Sequence, residues 1–533
     1  MKKTTRGAQR LAVSFTATCL LAMTACSSGG HTAANRPNDT SKLPATTLTT
    51  LRQAWAYQDQ TMDPATFYGG PGFSPMGALY EGLVAYGQGS LSIVPQLATK
   101  WTVSPDGKTY TFTLRPGVKF HDGTAVDSAA VKWSFQRFID LKGSPSYMLA
   151  DVASMDTPDP LTFVMHLTSP SNPMLSYLAS FVGPKVMSPT LMQANAGKDN
   201  GATFLASHDA GSGPYVLSGV VTDKSLTLTA FPGYWGPAPK IKTIQIEIIP
   251  DITTEVLSLE KGAIDMVTAQ VPPNLAAQLK NEPDIHITTY NSILKSVAWV
   301  KDAGFFANPA ARSALSQALN RNAIAKGAYG PGAQASTSMV PSSMDTGNVK
   351  TDDPAYDPSV LARLVKASHV APITIGYYSS LSEDALAAQL IQTELQAAGL
   401  NATVRGYGDE FFGFGTHVAS APEIMVLRTN ADAGSPASWM EGYYKTGGGL
   451  TLNGVSVPAG DAALAKAIGD ADPHQANSGY IAAERAYAAS GFFITLADTP
   501  AVIYSRTDVG PVAYSEGNPF GPDYALTGET SGK

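Results

Sequence analysis

From residue 48 onward, short runs that alternate apolar and polar side chains take turns with stretches of helical spacing. The clearest alternation lies at 101–114. Trp101 and Val103 stand among polar residues on one arm, and Tyr110, Phe112 and Leu114 interleave with Thr109, Thr111 and Thr113 on the other. Asp106-Gly107 lies between the arms, where glycine takes a positive φ without steric cost, so the stretch predicts a hairpin. A second Asp-Gly, Asp122-Gly123, precedes a helical stretch capped by Asp127 or Ser128, with Val131, Phe135, Phe138 and Ile139 near one side. Further along, 244–249 reads as strand, 253–261 as helix stopped by Gly262, and 264–267 as strand. Residues 310–325 and 385–398 read as helices, and 403–404 and 424–427 as buried strands. Strands and helices that interleave in this way predict an α/β chain, not a sandwich or a bundle.

At 533 residues the chain exceeds what one small core needs, which predicts two or three lobes. No heptad or Gly-X-Y repeat runs through it, and its 44% apolar content is globular. The formal charge is -7, and the bases form no cluster beyond the first ten residues, so nucleic acid is not an expected partner.

Lys2, Lys3, Arg6 and Arg10 precede an uncharged run over 11–25 that ends in Met23-Thr24-Ala25-Cys26. The run is short for a membrane span and reads as a secretory signal, 1–25. The four residues before Ser27 resemble a bacterial lipobox, with Met23 where Leu is usual. The expectation is that Cys26 is lipidated and becomes the mature N-terminus. Cys19 would leave with the signal, so no internal disulfide is expected. Residues 26–47, rich in small and polar types, predict a flexible tether.

Catalytic signatures are missing. The eight histidines (His31, His121, His166, His208, His286, His369, His417 and His474) are too far apart in sequence for a local ligand pair. No Gly-x-Ser-x-Gly elbow and no phosphate-cradling loop occurs. His121-Asp122 reads as a turn between strand and helix, not as an acid/base pair. Neither cofactor nor metal is expected, and no enzyme activity.

Several motifs then fall in order: Leu79-Tyr80-Glu81-Gly82-Leu83; Pro95-Gln96-Leu97-Ala98 with Trp101; Ser104-Pro105-Asp106-Gly107 through Phe120-His121-Asp122-Gly123; Gly211-Ser212-Gly213-Pro214-Tyr215; Gly262-Ala263-Ile264-Asp265; and Arg312 to Arg321. Together with Ile494-Thr495-Leu496, Arg506 and Val509-Gly510, they resemble the family 5 extracellular solute-binding proteins, the peptide/nickel-type binding proteins of ABC importers. The resemblance implies a two-lobed periplasmic-binding-protein-like fold (type II, cluster C) with an extra subdomain inserted in lobe I. Lobe I would comprise 48–85, 205–300 and 495–533, the insert 86–204, and lobe II 301–494. Crossings near 295–302 and 490–497 would form the hinge.

The resemblance also implies a ligand site. In peptide-binding members an Asp pairs with the α-amino group, and Asp432 stands at that position. Arg428 to Asn430 would offer one backbone edge and Tyr68-Gly69-Gly70 the other, with Trp439 beside a side-chain pocket. Where the family often reads Ala-Asp-x-x-Asp-Pro, this chain has Ala431-Asp432-Ala433-Gly434-Ser435-Pro436, keeping only the first Asp. The expected function is a monomeric, exported, lipid-anchored substrate-binding protein. It would deliver a peptide or peptide-like solute to ABC permease subunits with cytoplasmic ATPases. An oligosaccharide or metal chelate is the alternative ligand, with Trp55, Tyr57, Tyr443 and Tyr444 available to stack on sugars. An exported hydrolase is the alternative of another class.

Overall fold

The computed structural model describes residues 43–56, 61–68, 73–330, 332–344, 346 and 355–529. The expectations for Cys26, Tyr57, Gly69, Gly70, the signal and most of the tether lie outside these residues.

Three main sheets organise the described chain. Across the first sheet the strands run Ile285–Tyr290, Ala501–Arg506, Met266–Val267, Thr50–Trp55, Thr243–Ile248, Ser225–Ala230 and Tyr215–Val221. Thr50–Trp55 lies parallel to Thr243–Ile248, in the register Leu51 to Ile244 and Gln53 to Ile246. Across the second run Gln334–Ala335, Phe493–Asp498, Leu294–Val300, Ile424–Asn430, Ile373–Tyr378 and Ala402–Tyr407. The third is antiparallel: Ala98–Val103, Thr109–Leu114, Thr162–Leu167 and Val152–Asp159.

The second sheet is covered on both faces, which explains why every residue of Leu294–Val300 is buried. Val297 and Trp299 join one core with Trp439, Met440 and Tyr487. Ala298 and Val300 join another with Leu315, Ile324 and Ile391. Successive strand residues face opposite ways, so each core takes alternate side chains. The chain passes from the first sheet to the second between Tyr290 and Leu294, and returns between Asp498 and Ala501. Both passages fall outside the ranges 295–302 and 490–497 expected from sequence. Leu294–Val300 and Phe493–Asp498 pair antiparallel inside the second sheet, so these residues serve as ladder.

Local signals explain most elements. The helix Ser128–Leu141 starts where Asp127 accepts a hydrogen bond from the Ala130 amide at 2.8 Å. Its Phe135 meets Phe163 of the third sheet edge-on, ring centroids 5.5 Å apart. In the hairpin Gly107 has φ +69°, but the first arm is the sheet's edge strand, and Val103 is exposed there. The single helix expected over 310–325 is two, Pro309–Ala318 and Arg321–Tyr329. Leu319 turns extended between them, and the Asn320 side chain caps the second by accepting from the Ala323 amide.

The sequence motifs prove to be joints. Gly211 and Gly213 pass so close to the Ala78–Leu79 backbone that a Cβ at either would overlap a carbonyl oxygen. The Ser212 hydroxyl donates to Glu81, which also accepts from Trp235 Nε1 and from the Tyr234 hydroxyl. Burial pushes the Glu81 carboxyl up to about 7, against these donors. His121 pairs with Asp209 and with the Gly213 carbonyl, while Asp122 accepts from Thr124 and Ser188, so the two neighbours do not act on each other. Asp265 accepts two side-chain bonds from Arg52, at 3.0 and 2.6 Å, and a third from the Arg52 amide.

Candidate ligand site at the seam between the sheets

Asp432 stands in the loop after the strand Ile424–Asn430. The ladder continues one step past it, since the Ala431 amide donates to Ile293. The loop then closes into the helix Pro436–Tyr443, where the Ser435 side chain caps the Ala437 amide, Pro436 starts the first turn, and the Ser438 hydroxyl accepts from the Ala433 amide. These bonds hold Asp432 at the end of the second sheet's strand Ile424–Asn430.

Both carboxylate oxygens of Asp432 accept from tyrosines. Tyr68 donates to Oδ1 and Tyr147 to Oδ2, each at 2.7 Å. The Ser180 hydroxyl donates to the Asp432 backbone carbonyl. Among the described residues no ion pair reaches this carboxylate. Burial raises its pKa, and the two tyrosine bonds only partly oppose that.

Tyr147 lies in the short turn Ser144–Leu149 and meets Tyr177 edge-on, centroids 5.8 Å apart. Tyr177 in turn donates to Glu441 on the helix after Asp432, at 2.9 Å. Tyr86 donates to Ser176 and accepts from the Gly434 amide at 2.7 Å. Tyr147 and Ser180 thus reach Asp432, Tyr86 reaches Gly434 and Tyr177 reaches Glu441. Tyr68 and Tyr147 keep part of their rings exposed, 47% and 39%, while their hydroxyls point at the carboxylate.

The other expected site residues are placed differently. The Arg428 amide is held by both oxygens of Asp384, and its guanidinium meets Glu383 at 3.2 Å and Thr499 at 3.1 Å. The Asn430 carbonyl accepts from Tyr443 at 2.5 Å. That edge of the strand is therefore partly satisfied from within the protein. Trp439 is fully buried against Tyr443, centroids 4.5 Å apart, inside the core of the second sheet. Tyr147, Ser180 and Tyr86 were not read from the sequence. No periodicity marks them; only Ser144-Pro145 signals a turn near Tyr147.

Residues 92–450 match the model of the bacterial extracellular solute-binding proteins, family 5 (middle). The chain belongs to this family. It is 31% identical to the probable D,D-dipeptide-binding periplasmic protein of Escherichia coli K12, over 50% of this chain and 51% of that one. To the di/tripeptide-binding protein 2 of Pseudomonas aeruginosa it is 28% identical, over 71% and 75%. The chain thus spans about half the length of the first of these relatives and three quarters of the second.

Solved structures show the same fold. The Brucella suis binding protein in complex with Fe(III)-EDTA aligns over 90% of this chain and 99% of its own, at TM-score 0.81 and 18% identity. The dipeptide-binding protein of a Pseudoalteromonas species in complex with Met-Leu aligns over 89% and 98%, at TM-score 0.76 and 20% identity. The fold of this family 5 protein is the type II, cluster C periplasmic-binding fold.

Proposed function

We propose that this family 5 protein captures a peptide or peptide-like solute with a free amino terminus and delivers it to an ABC permease, without chemistry of its own. One observation carries the reading. Asp432 is a carboxylate drawn into the seam and bonded by neutral hydroxyls alone, with no ion pair among the described residues. A half-buried carboxylate pays part of the cost of leaving water and binds a cation more strongly than an exposed one does. An ammonium group fits that requirement. An anionic metal chelate does not, since it would meet a like charge. Tyr68 and Tyr147 hold the two oxygens in place and leave lone pairs on each for the ligand. The peptide-binding relatives support the same ligand class. The passages at 291–293 and 499–500 would serve as the hinge that opens and closes the lobes.

Titration calorimetry of a free and an N-acetylated dipeptide, against the parent and Asp432→Asn, tests this reading. Binding of the free dipeptide, its loss in the variant, and weak binding of the acetylated form to both proteins are expected. Failure of the parent to bind any peptide would shift the weight to an oligosaccharide.

The finer reading places the protein on the outer face of the membrane through lipid at Cys26, supported by Met23-Thr24-Ala25-Cys26. Cys26→Ser is expected to fold normally and to move from the membrane fraction to the soluble one. A variant that still sediments with membranes overturns it.

A further inference from the structure

The second and third sheets meet in space but are not neighbours along the chain. After Thr162–Leu167 of the third sheet, the chain builds most of the first sheet, from Tyr215–Val221 to Ile285–Tyr290, before it reaches Leu294–Val300 of the second. No direct chain passage ties the two together. A turn of the chain about 291–293 and 499–500 would part their contacts as a set.

Those contacts lie on the helices that cover the second sheet. Met440, Leu464 and Tyr480 place Pro436–Tyr443, Pro458–Ile468 and Pro473–Ser490 on one core of that sheet. The helix Met174–Ala179 belongs to the other side, since Met174, Leu178 and Ala179 share a core with Phe163 and Met165 of the third sheet. Just before it, the Asn172 amide donates to the Ile468 carbonyl at 2.8 Å, a carbonyl that the end of its own helix cannot satisfy. The Asn172 side-chain oxygen accepts from the Tyr480 hydroxyl at 3.2 Å. Tyr177 donates to Glu441 at 2.9 Å, and Glu441 also holds Lys445 at 3.0 Å. All three helices are thus met from the third sheet's side. Packing backs the bonds: Leu91 and Phe181 lie against the core of the second sheet. A Cβ on Gly434 would come within 2.7 Å of Leu91, and one on Gly107 within 2.9 Å of Ala471, so the surfaces fit without room for a side chain at either point.

We propose that these contacts are a latch: Asn172 and Tyr177, with Ile468, Tyr480 and Glu441 opposite them, hold the protein closed over its ligand. The proposal rests on the ligand-capturing, hinged reading above and adds the part that sets how long the closed form lasts. A protein that is competent only part of the time shows an affinity reduced by that fraction. A weakened latch therefore costs every ligand the same factor and leaves the choice between ligands as it was. A residue that touches the ligand changes that choice.

Tyr177→Phe, Tyr480→Phe and the double variant remove hydroxyls and keep the rings. Titration calorimetry with Ala-Ala and Ala-Ala-Ala, and small-angle X-ray scattering without added ligand, read the two sides of the proposal. Loss of the bond to the Glu441 carboxylate should weaken both peptides roughly tenfold, and loss of the neutral bond to Asn172 roughly threefold, with the ratio of the two peptides as in the parent. Asn172→Ala, which strips the acceptor from the other side, should match Tyr480→Phe. The double variant should show a larger radius of gyration. Unchanged affinity and unchanged radius in the double variant overturn the proposal, because the contacts would then persist in open and closed forms alike. A loss confined to Tyr177→Phe overturns it too, since Tyr177 would then act through Tyr147, whose ring it meets edge-on. So does a loss that differs between the two peptides. A parent that binds neither peptide removes the peptide reading and leaves the scattering to decide: a larger radius in the double variant supports the latch, and an equal one overturns it. Melting temperatures identify a variant that fails to fold, and the single variants with Asn172→Ala then carry the same comparison.

Discussion

Asp265 is buried and Asp432 half-buried, and what meets each carboxylate differs. Asp265 sits beneath Arg52, which meets it with two side-chain bonds and an amide. Among the described residues, Asp432 has only the hydroxyls of Tyr68 and Tyr147 on its carboxylate oxygens. The first charge is neutralised inside the fold and joins Thr50–Trp55 to the segment before Met266. The second is oriented but not neutralised. At Asp265 the chain itself supplies the cation; on the reading proposed above, the cation at Asp432 would come with the ligand.

The largest expected effect is on binding. Removing one partner of a buried charge pair costs about 3–5 kcal/mol, or roughly 2–4 decades of affinity. Asp432→Asn keeps an oxygen acceptor, so calorimetry should read the lower end for a free peptide. The same variant should raise the unfolding free energy of the ligand-free protein by about 0.5–2 kcal/mol, the usual return on relieving a functional site. A destabilised Asp432→Asn would make the two carboxylates alike and break the contrast.

Arg52→Ala should do the reverse. It strands Asp265, but Arg52 is partly exposed, so about 2–3 kcal/mol is expected in denaturant unfolding, with peptide affinity unchanged. Tyr147→Phe removes one neutral hydrogen bond, worth about 0.5–1.5 kcal/mol, and should weaken peptide binding up to about tenfold. Because Tyr147 also helps keep Asp432 ionised, peptide affinity in that variant should begin to fall at a higher pH on acidification than in the parent.

The smallest effect is alkaline. The Lys185 ammonium is lowered from 10.5 to about 8 in the folded protein. Between those values the unfolded chain carries the extra proton, so this group makes stability rise with pH across the window. Lys185→Met should lack that part of the slope in melting curves taken from pH 8 to 10.5.

Local rules made much of the fold legible. The Asp127 cap, the turn at Gly107 and the alternation in Thr109–Leu114 each act within a few residues, and each appears where expected. The break at Leu319 was missed because Asn320 reads as an ordinary helix residue until its capping bond is seen. Asp432 was placed by resemblance, since nothing in the residues around it marks a buried charge. Tyr147 lies 285 positions away from it in sequence, and no local rule brings the two together. Lys185 sits between Pro184 and Val186 in a stretch that gives no hint that its ammonium is withdrawn from water. Sites assembled across lobes are contacts between distant segments, and periodicity carries no record of them.

The strand Ala501–Arg506 lies between Met266–Val267 and Ile285–Tyr290, and Ile285–Tyr290 pairs with it alone. The first sheet therefore cannot be completed until residues 501–506 have been made. A ribosome releases a chain from its beginning, so during synthesis two strands wait with open edges for a partner still to come. Contacts of such long range are slow to form. The order of the strands thus leaves the first sheet unfinished until residues 501–506 are available to it.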